Sequence, residues 1–331
     1  WLDSANSRWF FFNSATRPFG MVNLSPDTRV GQEAWGSGYR YDDECIHWFS
    51  HVHAWQLCGI PVMPTLGELK GHLGSDAYKS PFSHEDEVAQ PGYHAVTLDA
   101  YDVRAELTAT CRVGLHRYTF DREGDAWIIF GLGEDIMLPM SDCAVRQERA
   151  RGFSGYVENE RTRRRSKRTK IFFDAVFDRE VEAVRAWRHG EFEPFDTAKA
   201  GPGIGMAVRF RVKRGDVIQL TVAISYCGRE QARQNRRAEL SHWDFDAVRQ
   251  AARETWNQWL SRIEVEGGSE AQTTKFYTDL FHALKGRRIV SDVAGSYLDN
   301  TGDLPVVRQI PLAKEGQPRH NHHNSDAFWG A

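Results

Sequence analysis

The chain has no hydrophobic run of about 20 residues, so no segment reads as a membrane-spanning helix. It also lacks an excess of charge of either sign. Lys and Arg number 42 against 45 Asp and Glu, for a net charge of −3, whereas domains built around DNA or RNA are usually strongly basic. Cysteine is scarce and scattered. Five thiols at 45, 58, 111, 143 and 227, with no CxxC, exclude a zinc knuckle or a redox dithiol and leave at least one unpaired within the chain. No phosphate cradle is present: GPGIG at 201–205 has neither the Lys-Ser/Thr of a P-loop nor GxGxxG spacing. GFSG at 152–155 is not the nucleophile elbow GxSxG, so no serine hydrolase is indicated. There is no initiator Met and no apolar leader ahead of Trp1, which reads as a processed or trimmed form.

What is present is an ordinary globular composition, 41% hydrophobic and 26% charged. At roughly 150 residues per domain, 331 residues predict about two domains. A chain this long buries about three quarters of its unfolded surface and needs no disulfide or metal staple. The 11 Trp, 19 Phe and 10 Tyr serve two ends, since aromatic faces build β cores and also pack against sugar rings.

The sequence divides near residue 228. Before it, short apolar or alternating runs are separated by Gly, Pro, Asp and Asn clusters. Examples are Tyr93–Leu98, 104–111, 116–120, 126–130, 170–177, 206–212 and 218–225. In RAELTATC, Ala105, Leu107 and Ala109 alternate with Glu106, Thr108 and Thr110, as a strand with one buried face should. Many short strands without intervening helices predict an antiparallel β-sandwich. After residue 228 the period becomes helical. Phe245, Val248, Ala252, Trp256, Trp259, Leu260 and Ile263 form one stripe, with Asp244 as N-cap. A second helix is predicted from Ser269, where Gln272 stands at capping-box spacing, with Phe276, Leu280, Phe281 and Leu284 as its stripe. Residues 324–331 read as the opening of a third, cut off at Ala331 with no stop signal.

Several clusters have both a sharp and a bland reading. The run RTRRRSKRTK at 161–170 has seven cations in ten residues. It suits a localisation or nucleic-acid patch, or a charged strand edge that resists aggregation. In a strand, His51 and His53 share a face, so a metal pair is sterically possible; hydrogen bonds in a pocket wall are the alternative. Glu85, Asp86 and Glu87 make a loop carboxylate cluster, and Asp326 stands alone beside Phe328 and Trp329, a setting suited to sugar contact. Asn23-Leu24-Ser25 has the form of a glycosylation acceptor, followed by Pro26.

Taken in order, ATRPFGMVNLSPDT (15–28), SGYRYDD (37–43), FSHVHAW (49–55), PVMPT (61–65), SPFSHEDEVAQPGYHAVTL (80–98), AELTATCRVGLHRYTF (105–120), WDFDAVR (243–249), RIEVEGGSEAQTTKFYTDLFHAL (262–284) and SDVAGSY (291–297) resemble glycoside hydrolase family 92, the calcium-dependent exo-acting α-mannosidases. The resemblance implies a mainly β sandwich over residues 1–235, a helical linker over 236–266, and the start of an (α/α)6-barrel catalytic domain over 267–331. Most of that barrel is expected beyond Ala331. It also implies inverting hydrolysis, in which one carboxylic acid protonates the leaving oxygen and a second activates water from the opposite face. In the family that pair and the main calcium ligands come from the later barrel, so no catalytic residue and no metal ligand is assigned here.

What the resemblance does assign is substrate binding. Trp55 matches the family's aromatic residue near the terminal mannose, with His53, Cys58 and Gly59 beside it. Asp326 in SDAFW matches a carboxylate that binds mannose hydroxyls, although Ala327 and Trp329 depart from the family's Thr and Arg. Arg17 lies in the most family-like string. The basic run suggests attraction to phosphorylated or other anionic mannosides. The expected partners are a mannose-containing glycan and the remainder of the same polypeptide, and the expected location is extracellular or periplasmic. A non-catalytic carbohydrate-binding β-sandwich module is the other reading.

Overall fold

The computed structural model describes residues 4–5, 14–31, 38–54, 56–163 and 165–324. Two large antiparallel sheets dominate it. Among the described residues, the first runs in the order Ala15–Thr16, Asn23–Asp27, Trp48–Ala54, Leu57–Leu66, Gly124–Phe130, Ile204–Val212, Ala183–Arg188, Glu191–Glu193. The second runs Ala198–Ala200, Met140–Arg149, Gly152–Asn159, Thr169–Phe177, Val217–Ser225, Val113–Phe120, Val103–Ala109, Tyr93–Leu98, Val88–Gln90. The runs read as strands from the sequence are therefore strands, bounded by the turn residues that punctuate them.

The sheets face each other across one core. Phe177 of the second sheet lies 5.1 Å, centroid to centroid, from Phe210 of the first and 6.4 Å from Phe130. At Gly59 the approach is closer than a side chain allows, because a Cβ there would stand 2.7 Å from Val157 Cγ2 across the core. The second sheet is buried on its other face as well. Val113, Leu115, Ala95 and Ala223 form a second apolar cluster with Leu240, Phe245 and Val248. This explains Thr108, an outward position in the alternating pattern that is nonetheless buried, its hydroxyl donating to Gly92 O at 2.8 Å.

The residues that cover this face are helical: α1 (Arg229–Glu239) and α2 (Phe245–Leu260), with α3 (Glu270–Gly286) packed against α2. The Asp244 carboxylate accepts from Ala247 N, and Ser269 and Gln272 form the full capping box. Both satisfy first-turn amides that would otherwise lack partners. Trp256 anchors α2, with its indole N–H donating to Thr16 O at 2.7 Å and its ring 4.6 Å from Phe281 of α3. After α3 the chain is extended, with a hairpin of Ser296–Asp299 against Val306–Gln309. Among the described residues after 267, α3 is the one helix of the region expected to open a barrel. Of the third helix expected at 324–331, all but Asn324 lies outside the described residues. None of the three helices is long and apolar enough to cross a membrane.

Candidate functional site

The site begins with a hairpin. The Trp48–Ala54 and Leu57–Leu66 strands pair to the last residue, Ala54 opposite Leu57, leaving a two-residue turn. Gln56 sits in that turn at φ 58°, the left-handed conformation such tight turns require. From the other sheet Asn159 braces it. Cys58 N–H donates to Asn159 Oδ1 at 3.0 Å, and Asn159 Nδ2 donates to Cys58 O at 2.9 Å. The Cys58 thiol is buried, which pushes its pKa up to about 12 and keeps it protonated and unreactive at neutral pH. All five cysteines are free thiols.

Beside this turn lies a cleft of about 310 Å³, at the small end of ligand pockets. It is lined by Gln56 and Leu57 of the hairpin, by Arg165, Thr169 and Tyr226, and by Val290, Leu298, Asn300, His322 and Asn324 from the chain after α3. Three amides, two hydroxyls, an imidazole and the Arg165 guanidinium share the lining with apolar surface, a set able to hydrogen-bond a hydroxyl-rich ligand. No Asp or Glu is among these lining residues, so they offer no acid–base carboxylate pair. A second hollow of about 270 Å³ lies between α2, α3 and residues 89–91, with mainly apolar walls.

A chain of buried polar contacts fixes the cleft wall to the hairpin. Asn324 N–H donates to Arg288 O at 3.0 Å, and Arg288 N–H donates to Asn324 Oδ1 at 3.2 Å. The buried Arg288 guanidinium donates to His53 O at 2.9 Å and to Asn23 Oδ1 at 2.7 Å. His53 then bonds Asn23 O through Nδ1 at 2.8 Å and Asp27 Oδ1 through Nε2 at 2.8 Å. Burial alone would lower the His53 pKa, but the Asp27 charge and hydrogen bond outweigh it and hold the pKa above the usual value. A carbonyl on one nitrogen and a carboxylate on the other both favour a donor, so the contacts favour the imidazolium form of His53. Gly38, at φ 67°, closes over this pair, where a Cβ would lie 2.0 Å from Asp27 Oδ1.

His51, two residues earlier, points elsewhere. Its Nδ1 donates to Ile60 O at 2.7 Å, which leaves Nε2 to accept from His116 Nε2 of the second sheet at 2.8 Å. His116 Nδ1 then accepts from Tyr118 OH at 2.7 Å. The two histidines at 51 and 53 thus do not converge, and among the described residues no three His, Cys, Asp or Glu side chains gather to hold a metal.

Of the residues expected at the site, His53, Cys58 and Gly59 lie in the hairpin behind the cleft. Trp55 and Asp326 fall outside the described residues, next to Gln56 and two positions after Asn324 in the chain. Arg17 is elsewhere: its guanidinium donates to Ala109 O at 2.8 Å and to Ala251 O and Thr255 Oγ1 of α2, both at 2.6 Å, clamping that helix to the sheet. Asn23, formally a glycosylation acceptor, is buried with its amide engaged. Sequence reasoning missed Asp27, Asn159, Arg288 and Asn324, and singled out Arg165 only as one cation of the basic run. Asp27 stood in a quoted family string, whereas Arg288 had no local signal.

The chain matches the N-terminal domain of glycosyl hydrolase family 92 over residues 3–225 and the family's catalytic domain over residues 231–330. A curated relative from Arthroderma benhamiae, described as an uncharacterized secreted glycosidase, is 23% identical over 82% of this chain and 39% of its own length. Among solved structures, a family 92 α-mannosidase from Bacteroides thetaiotaomicron is 23% identical with a TM-score of 0.81, covering 93% of this chain and 44% of that one. A family 92 inverting mannosidase from the same organism is 23% identical with a TM-score of 0.78, covering 94% and 43%. At this identity the likeness establishes the fold, and the chain spans less than half the length of each of these three proteins. The two family matches together account for nearly all of the chain, which belongs to glycosyl hydrolase family 92.

Proposed function

We propose that this chain forms part of an exo-acting α-mannosidase that releases terminal α-mannose from glycans with inversion, and that the cleft beside Gln56 and Asn324 receives the terminal sugar. The observation that carries this reading is the convergence in one cleft of the segments next to Trp55 and next to Asp326, which are far apart in the chain. On this reading Trp55 offers an apolar face to sugar C–H groups, Asp326 binds hydroxyls, and His53 with Asp27 and Arg288 holds the floor rigid. Residues 1–235 are the sandwich, 236–266 the linker and 267–331 the first part of the barrel. The acid and base carboxylates, about 6.5–9.5 Å apart in an inverting enzyme, are supplied by the rest of the polypeptide. The solved family 92 structures of an inverting mannosidase and of an α-mannosidase in complex with mannoimidazole support the substrate class, and the secreted relative supports an extracellular or periplasmic location.

Calcium takes 6–8 oxygen ligands. The described residues do not fit it, since they offer no such cluster, and no step here is assigned to it. Any tolerance of phosphorylated mannosides would draw on cations of the basic run other than Arg165 and Lys167, whose donors are engaged by carbonyls.

The test is hydrolysis of an aryl α-mannoside by the complete gene product, with and without a chelator, following the anomeric proton of the first-released mannose. Release of β-mannose, suppressed by the chelator, is the expected result. Absence of hydrolysis under both conditions overturns the enzyme reading in favour of a carbohydrate-binding module.

A further inference from the structure

The lining of the cleft includes two distant stretches of chain, residues 56–57 and residues 290–324. The basic segment contacts both, and its cations are not alike. Arg168 pairs with Glu160 at 2.9 Å, and Lys170 lies 4.1 Å from the Tyr156 ring centroid. Arg165 instead serves main-chain oxygens: Gln56 O at 3.1 Å, Glu160 O at 2.6 Å and Lys167 O at 2.5 Å, with Thr169 Oγ1 at 3.1 Å. The Thr162 hydroxyl donates to Gln56 Oε1. Lys167 turns the other way and donates to Asn300 O at 2.7 Å and to Gly302 O.

We infer that Arg165 and Lys167 form a strap that ties the Gln56 turn to the 300–302 loop and sets the width of the cleft, making both positioning residues for the ligand bound there. Three observations carry this. Arg165 and Lys167 are two residues apart, so one short segment grips both stretches. Gln56 holds a left-handed conformation that non-glycine residues rarely adopt, and the Arg165 bond to its carbonyl helps fix it, alongside the Thr162 bond to its side chain. The bonds run from full cations to carbonyl oxygens, the charge-assisted kind that outlasts neutral ones. The strap accounts for part of the basic run without invoking an anionic ligand. Its consequence for mannoside binding rests on the function proposed above.

The experiment compares wild type, Lys167→Met, Lys167→Arg and Arg165→Lys in the complete gene product. It reads amide hydrogen exchange over residues 54–57 and 299–303, together with kcat and KM for an aryl α-mannoside. Lys167→Met should speed exchange in 299–303 about 10-fold and raise KM about 3- to 10-fold while changing kcat less. Lys167→Arg, which keeps donors within reach of both carbonyls, should restore both readouts. Arg165→Lys, which cannot reproduce the planar fork, should speed exchange in 54–57. Unchanged exchange in Lys167→Met overturns the strap. Faster exchange with an unchanged KM overturns its role in binding. A wild type inactive on every α-mannoside overturns the proposed function instead, and the exchange readout then decides the strap by itself.

Discussion

His51 and His53 stand two residues apart on one strand, both buried, yet their surroundings push their pKa values in opposite directions. The groups that His51 bonds are neutral, a carbonyl and a second imidazole. Desolvation wins there and pushes the pKa down to about 4. Around His53 one partner is a buried carboxylate, and attraction overrides the same desolvation. Burial alone therefore does not decide the charge of a core histidine; the nearest ionised group does. The two sets also differ in what they join. The His51–His116–Tyr118 chain crosses from one sheet to the other, whereas the Asp27–His53–Arg288 set ties the first sheet to the segment that forms the cleft wall.

The strongest way to break this contrast is Asp27→Asn, which strips the carboxylate from the buried His53 ring and a nearby guanidinium. Unfolding in urea should show a loss of about 3–5 kcal/mol, the usual cost of orphaning a buried charge. The pH dependence of stability sharpens it. His53 has a raised pKa, so its stabilisation is full below its unfolded value near 6.5 and fades as pH rises through the folded one. His51 behaves in the reverse sense. Its stabilisation is full above 6.5 and lost as pH falls toward about 4, a window equivalent to about 3 kcal/mol. Urea midpoints measured across pH should thus decline on both sides in wild type, and Asp27→Asn should keep the acid decline while losing the alkaline one attributable to His53. The smallest effect belongs to Tyr118→Phe, which removes the donor to His116 Nδ1 and leaves a buried acceptor unpaired, for a loss of about 1–3 kcal/mol. If Tyr118→Phe costs as much as Asp27→Asn, the distinction between neutral and charged sets fails.

The antiparallel strands, the residue 228 transition and both helix caps were legible in the sequence, because each depends on neighbours within a few positions. The alternation of 103–109 and the Ser269–Gln272 spacing are local signals of that kind. The site was legible only in part. The family strings single out FSHVHAW, but which histidine nitrogen meets which partner does not follow from them. Asn159 meets Cys58 across 101 positions and Arg288 meets His53 across 235. Nothing within either neighbourhood announces the other. The basic run shows the same limit: Arg165 and Arg168 are equivalent as letters, and only the carbonyls around one and the carboxylate beside the other separate their roles.

The two hydrogen bonds between the Asn159 side chain and the Cys58 backbone, one donated and one accepted by the carboxamide, bear on how this region can change. A carboxamide is shaped like a peptide unit, so Asn159 acts as one link of a strand supplied from the opposite sheet. Sliding the hairpin by one residue would turn every side chain to the other face and break both of these contacts at once. Length changes are therefore confined to the turn beyond Cys58. Natural or engineered variants can reshape the cleft rim there, by inserting or deleting residues between Ala54 and Leu57, while the strands beneath keep their alignment.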